Sequence, residues 1–216
     1  MVLSGGMDST TALYQAVDLG TFEEIQTITF DYGSKHNHQE YLRALAICAR
    51  LKIKNTLIKM EFINKYFKSD LLKSGGDIPE GHYADKTMKR TVVPFRNGIM
   101  LSIAAGFAES IGATHLILGN HVGDHAIYPD CRSEFTTPMA KAIRNGTYNE
   151  IELLTPFGGV DKTEIVKLGA KLGVPYELTY SCYKGGKKHC GKCGTCTERI
   201  EAFRLADISD PTDYSS

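Results

Sequence analysis

The chain carries no net charge, with Lys+Arg and Asp+Glu both at 25 among 216 residues. That balance removes the simplest reason to expect attraction to nucleic acid or to a membrane surface. No apolar run approaches the roughly 20 residues that span a bilayer. No basic-then-apolar leader precedes the polar loop that begins at Ser4. Internal repeats and low-complexity tracts are missing too, and cytoplasmic residence is the default. In a reducing compartment the six cysteines are not a disulfide framework, so metal binding is the better reading of any cluster.

What is present suits one α/β domain with room for a small appendage. Met1-Val2-Leu3 reads as the end of an apolar strand, short enough to suggest that the first strand is truncated. A helix follows from about Ser9 to Leu19, closed by Gly20. Ile25–Phe30 alternates as a half-buried strand, Glu40–Leu51 has helical spacing, and Thr56–Met60 reads as a third strand. Residues 64–95 hold no strong period and read as a long functional excursion. Ile99, Ile103, Phe107 and Ile111 form one stripe of a buried helix, with Met100, Ala104 and Ala108 forming another. Thr114–Leu118 and Ile151–Leu154 are the remaining strands, separated by a polar loop that runs to Asp130. Asp161 and Glu164 open a last α/β helix ending near Gly173.

Strands alternating with helices predict a doubly wound parallel sheet, Rossmann-like, with ligands beyond the carboxyl ends of the strands. The polar segments Ser4–Ser9, Asp31–His36, Gly119–Asp130 and Phe157–Lys162 all fall there.

Leu3-Ser4-Gly5-Gly6-Met7-Asp8-Ser9-Thr10-Thr11, between a strand and a helix, reads as a phosphate cradle. Its glycines let the backbone approach an anion, and backbone N–H groups with the helix dipole face the phosphates. Ser4, Ser9, Thr10 and Thr11 add hydroxyl donors. Asp8 would repel phosphate unless Mg²⁺ lies between them, which gives it a magnesium-organising role. The bland alternative is a turn in which Ser9 caps the helix. No Gly-Lys-Ser/Thr follows, so this is not a Walker A loop. It resembles the pyrophosphate loop (PP-loop) of the N-type ATP pyrophosphatases, which cleave ATP between the α- and β-phosphates. The expectation is nucleotide binding with AMP transfer.

Cys182, Cys190, Cys193 and Cys196 are spaced C-x7-C-x2-C-x2-C. Four thiolates close a tetrahedral zinc shell, the pattern of a structural site; the metal would tie the segment Thr179–Cys182 to a helix starting near Thr197. An iron–sulfur cluster is the alternative; the upstream fourth cysteine and the lack of Cys-Pro favour zinc. His189 is the spare ligand, read instead as an exposed neighbour.

Together these motifs resemble the QueC family of 7-cyano-7-deazaguanine synthases along essentially the whole chain. Carrying the likeness are Ser4–Thr11, Phe30-Asp31-Tyr32-Gly33 with Lys35-His36 and Glu40, and Val93-Pro94-Phe95-Arg96-Asn97. Tyr128-Pro129-Asp130-Cys131-Arg132 and the four cysteines complete it. The resemblance implies an adenine nucleotide alpha hydrolase-like domain over 1–178, with a zinc-binding element over 179–216 packed on it. It implies ATP, ammonia and 7-carboxy-7-deazaguanine as substrates, with Mg²⁺ accompanying ATP and no nucleic-acid or membrane partner. It also implies a homodimer. Lys162 resembles the lysine that contacts phosphate in this superfamily, although a solvated first-turn lysine is the alternative. Arg96, Asn97 and Asp130 are the expected substrate-binding residues. Phe95 stands where many members have glycine, and Gly123–Ile127 departs from the commoner Glu-Thr-Asp-Phe-Ser-Gly stretch. His121 and His125 read as pocket or surface residues rather than a metal pair.

Competing readings are a tRNA thiolase, which would need a basic face and a catalytic cysteine pair, and a paralogue with a different nucleophile. NAD and GMP synthetases share the loop but lack the cysteine cluster. A zinc-stabilised nucleotide-binding regulator without turnover is the non-enzymatic alternative.

Overall fold

The computed structural model describes residues 1–83, 85–121, 123 and 127–215. Two parallel strand pairs carry the sheet. β1 (Gln26–Asp31) lies beside β2 (Lys54–Lys59) with Gln26 opposite Lys54, and β3 (His115–Ile117) lies beside β4 (Glu152–Leu154). Residues 1–3 join the pairs. The Val2 N–H donates to the Ile117 carbonyl at 3.0 Å, and the Leu3 N–H donates to the Ile28 carbonyl at 2.8 Å. The spatial order is therefore β2, β1, residues 1–3, β3, β4. Strand order reverses between residues 1–3 and β3, and open α/β sheets bind ligands at such a switch point.

Helices cover both faces because successive strand residues point to opposite sides. Leu116 packs with Ile28, Phe30, Leu101, Ala104 and Ile143, beneath α4 (Arg96–Ser110) and α5 (Ser133–Gly146). Ile117 joins Leu13, Ala16, Ala44, Ile47 and Ile165 on the other side. These come from α1 (Met7–Leu19), α2 (Asn37–Leu51) and α6 (Lys162–Lys171). Gly20 ends α1 in the left-handed region at φ 60°, as expected of a C-terminal glycine. The Asp161 side chain caps α6 by accepting from the Glu164 N–H at 2.9 Å.

Three features differ from the sequence reading. The segment read as irregular over 64–95 is not wholly so, since α3 (Glu61–Tyr66) runs into its start and Lys86–Thr91 forms a 3-10 helix. Helix α5 was not foreseen; it holds Pro138 internally, a residue that normally argues against a helix. The last helix, α7 (Gly194–Ala206), begins inside the cysteine cluster rather than near Thr197. Phe95 initiates α4 at φ 53°, a conformation that costs a side chain about 1–2 kcal/mol and that glycine adopts freely.

The C-terminal element does not stand off from the sheet. Cys182, Cys193 and Cys196 share one core with Ile28, Leu101 and Leu116. Its tail is held by Arg199, which is 0% exposed. Arg199 Nε lies 3.2 Å from each Asp210 carboxylate oxygen, Nη1 donates to Thr179 Oγ1 at 2.7 Å, and Nη2 donates to the Tyr176 carbonyl at 3.1 Å. Asp210→Asn should cost about 3–5 kcal/mol, because it strands a buried guanidinium. Burial opposes ionisation of Asp210, but hydrogen bonds and charge from Arg199 outweigh it and hold the carboxyl below its ordinary value. A depressed carboxyl stabilises the fold fully above its unfolded pKa, about 3.9, and loses that contribution as pH falls through the folded value. Urea melts should therefore show a constant gap between wild type and variant from neutral pH to about 4, narrowing below it.

Candidate active site

A cavity of about 190 Å³ opens at the switch point, lined in part by Ser4, Asp8, Glu40, Arg96, Asn97 and Lys162. Its rim begins with the glycine loop. Gly5 adopts φ 82°, and a Cβ there would strike the Glu40 carbonyl oxygen, so α2 can pack behind the loop only if this residue is glycine. The Tyr180 N–H donates to the Gly5 carbonyl at 2.9 Å, which ties the loop to the C-terminal element. Ser4 Oγ and Ser9 Oγ lie 3.0 Å apart, and the Gly6 N–H donates to Ser4 Oγ at 3.1 Å.

Leu3, Ser4, Gly6, Met7, Asp8 and Ser9 line the cavity. Thr10 and Thr11 do not offer hydroxyls to it. Thr10 Oγ1 donates back to the Gly6 carbonyl at 2.7 Å and Thr11 Oγ1 to the Met7 carbonyl at 2.8 Å, the usual way for threonine to satisfy itself within a helix.

Lys162 reaches the loop from the start of α6. Its Nζ lies 3.3 Å from Asp8 Oδ2 and 2.6 Å from Glu198 Oε2, and the three side chains are between 12% and 21% exposed. His121, 1% exposed, adds its Nε2 at 3.8 Å from Asp8 and 3.9 Å from Glu198. Lys162 is thus no solvated first-turn lysine: it is held against the carboxylate of the glycine loop. Asp8 Oδ1 is buried without a hydrogen-bond partner among the described residues, as suits an oxygen kept for a cation. Sequence reasoning missed Glu198; lying two residues after Cys196 it gives no sign that it meets Lys162. His125 lies outside the described residues.

A second group lines the same cavity. Arg96 sits 5.7 Å from the ring centroids of both Tyr32 and Tyr128, a cation held between aromatic faces. His36 stacks on Tyr183 at 5.1 Å and lies 3.5 Å from Glu40 Oε2. Burial, and then the Arg96 charge, push the His36 pKa down to about 3, so its ring is neutral. Asn37 organises this corner: its Oδ1 accepts from the Tyr32 and Ser34 N–H groups at 3.1 and 2.8 Å. Asp130 is not among the residues that line the cavity; its carboxylate accepts from the Asn97 N–H at 2.8 Å and so pairs one of the donors that a helix start leaves without a partner inside α4. The Arg-Asn and Tyr-Pro-Asp-Cys motifs are therefore docked together: Asn97 lines the cavity while Asp130 supports it.

The four cysteine sulfurs lie within 4.8 Å of one another. The Lys192 and Cys193 N–H groups both point at Cys190 Sγ, at 3.4 and 3.3 Å, as in a metal-binding knuckle. Thiol contacts, first from Cys182, then from Cys196, pull Cys193 far below its ordinary pKa against burial. The contact with Cys193 chiefly pushes Cys182 up to about 11. Four sulfurs competing for protons at one point are a donor set that fits a cation. His189 is not an exposed neighbour. It is 5% exposed and accepts from the Ser181 N–H at 2.9 Å through Nε2, bracing the loop that carries Cys182.

Fold, glycine loop and pocket define an α/β enzyme of the PP-loop class, which uses ATP. Residues 1–207 match the family model described as queuosine biosynthesis protein QueC, and the chain belongs to that family. Relatives named 7-cyano-7-deazaguanine synthase agree. The one from Porphyromonas gingivalis is 52% identical over 99% of this chain and 96% of its own length. The one from Desulfotalea psychrophila is 49% identical over 99% and 97%. A solved structure, the U34-tRNA thiolase NcsA from Methanococcus maripaludis with its [4Fe-4S] cluster, has TM-score 0.54 at 13% identity. It matches 96% of this chain, which spans 64% of the thiolase, and the likeness is one of fold alone.

Proposed function

We propose that this chain converts 7-carboxy-7-deazaguanine and ammonia to 7-cyano-7-deazaguanine, consuming two ATP. The carrying observation is one cavity that holds both the Asp8–Lys162 end of a phosphate loop and an aromatic-walled corner with Glu40 and Arg96, in a chain of this family.

The substrate carboxylate attacks the α-phosphorus of ATP. Pyrophosphate leaves along residues 4–9, and an acyl adenylate remains. Ammonia displaces AMP to give the amide. The amide oxygen then attacks a second ATP, pyrophosphate leaves again, and loss of AMP with two protons forms the nitrile. In both transfers negative charge grows on phosphate oxygens, where preorganised N–H donors and the Lys162 ammonium stabilise it. Asp8 is the residue to hold Mg²⁺, which when bound with ATP neutralises phosphate charge.

Zn²⁺ is the structural occupant of Cys182, Cys190, Cys193 and Cys196, since four closed thiolates leave no open position for chemistry. The sheet domain ends near 178, and the element from 179 onward supplies Tyr180, Tyr183 and Glu198 to the site. Homodimerisation and a cytoplasmic setting accompany this reading. Among the described residues no helix is long and apolar enough to cross a membrane.

Pyrophosphate release tests the reading. With Mg·ATP and ammonium it should depend on added 7-carboxy-7-deazaguanine. Release independent of that acid, or none with it, would overturn the proposal.

A further inference from the structure

The cavity contains a carboxyl group that phosphate chemistry does not use. Glu40 lies in the first turn of α2 and lines the cavity, with its side chain 16% exposed. Among the described residues its carboxylate meets no charged or hydrogen-bonding side chain closer than His36 Nε2 at 3.5 Å. Arg96 acts on it from farther away, opposing the burial that raises its pKa to about 8. Keeping a carboxyl so enclosed and so poorly matched is costly, and such groups in clefts mark functional sites.

The ligand chemistry can be narrowed. Burial keeps the carboxyl largely protonated near neutral pH; phosphate and the substrate carboxylate bring only acceptors and cannot stabilise its ionised form, whereas a ligand that brings donors draws the proton off. The adenine edge of ATP offers only one donor beside an acceptor, half matching an ionised carboxylate, which only accepts. A 2-amino-4-oxo pyrimidine ring offers two adjacent donors, the ring N–H and the 2-amino group, and both can bond one carboxylate at once.

We propose that Glu40 is the specificity-determining acceptor for the ring N–H and 2-amino edge of the deazaguanine. This assignment rests on the proposed function above. Neutral His36, stacked on Tyr183, steadies the carboxylate without neutralising it. Arg96, fixed between Tyr32 and Tyr128, supplies the donor for the adjacent ring carbonyl.

Steady-state kinetics of wild type and Glu40→Gln, using 7-carboxy-7-deazaguanine and its 2-deamino analogue, test the assignment. Wild type should favour the amino substrate by about 10²-fold or more, because a buried acceptor left unpaired penalises the analogue. In Glu40→Gln, kcat/KM for the amino substrate should fall by about 10²–10³-fold, mainly through KM. The preference over the analogue should shrink with it, while KM for ATP stays unchanged. Glu40→Asp should retain the preference. A wild type that treats both acids alike contradicts the proposal without any variant. So does a Glu40→Gln enzyme that keeps its preference, or one whose defect is confined to KM for ATP. If wild type turns over neither acid, the functional reading itself fails, and the assignment with it.

Discussion

Lys162→Ala should lower kcat by about 10²–10³-fold, the usual loss when one preorganised charge-stabilising donor is removed from a transition state. The argument is geometric. Its Nζ is already within 3.3 Å of Asp8 in the phosphate loop and is enclosed to 12% exposure, so phosphate charge would develop beside it rather than across solvent. The carboxylates of Asp8 and Glu198 hold the ammonium in place before nucleotide arrives, which removes reorganisation from the reaction step. The substitution leaves those two carboxylates without their shared cation, so a modest stability loss should accompany it. Thermal melts separate the effects. A folded variant with kcat reduced and KM for the deazaguanine unchanged supports a phosphate-facing role. A turnover that falls only as far as the folded fraction falls would make Lys162 a structural ion pair.

The second large effect is on the fold. Cys196→Ser should remove tight metal binding and lower the melting temperature by about 10–20 °C. That follows from a loss of roughly 5 kcal/mol at about 2–4 °C per kcal/mol for a chain of this size, a conservative share of the binding energy typical of structural zinc. Cys182, Cys193 and Cys196 are each 0% exposed, and α7 starts at the cluster. Loosening it therefore also releases Arg199 and Glu198, the latter the partner of Lys162. Activity and stability should fall together on metal removal and return together with zinc. Elemental analysis reads the identity directly: stoichiometric zinc agrees with the account, and iron with visible absorbance contradicts it. A melting temperature unmoved by the substitution would mean that the sulfurs hold no structural ion.

What the sequence reveals follows from how local each feature is. The glycine loop and the cysteine set are contiguous, so their spacing states their chemistry. Strand and helix identities along 1–60 follow from period and from the stop at Gly20, with boundaries shifted by a few residues at α1, α2 and β2. Helix α5 was missed although Phe135, Met139 and Ile143 recur at four-residue intervals, because Pro138 breaks the local signal and only packing against the sheet core overrides it. Glu198 was invisible for another reason. Its role exists only because α7 folds back to bring residue 198 against residue 162, a contact no local pattern encodes. Asp130 illustrates the same limit: its motif reaches the cavity wall through Cys131, while its carboxylate serves the Asn97 backbone. Motifs thus mark segments that meet at the cavity, while tertiary contacts decide which polar groups line it.

Mass spectrometry of a single reaction reads the central claim most directly. Purified zinc-loaded protein with 7-carboxy-7-deazaguanine, ammonium and Mg·ATP should yield the 7-cyano product, with two AMP and two pyrophosphate formed per nitrile and an amide intermediate that is itself consumed when supplied alone with ATP. Accumulation of the amide as the end product, or formation of ADP in place of AMP, would contradict the account.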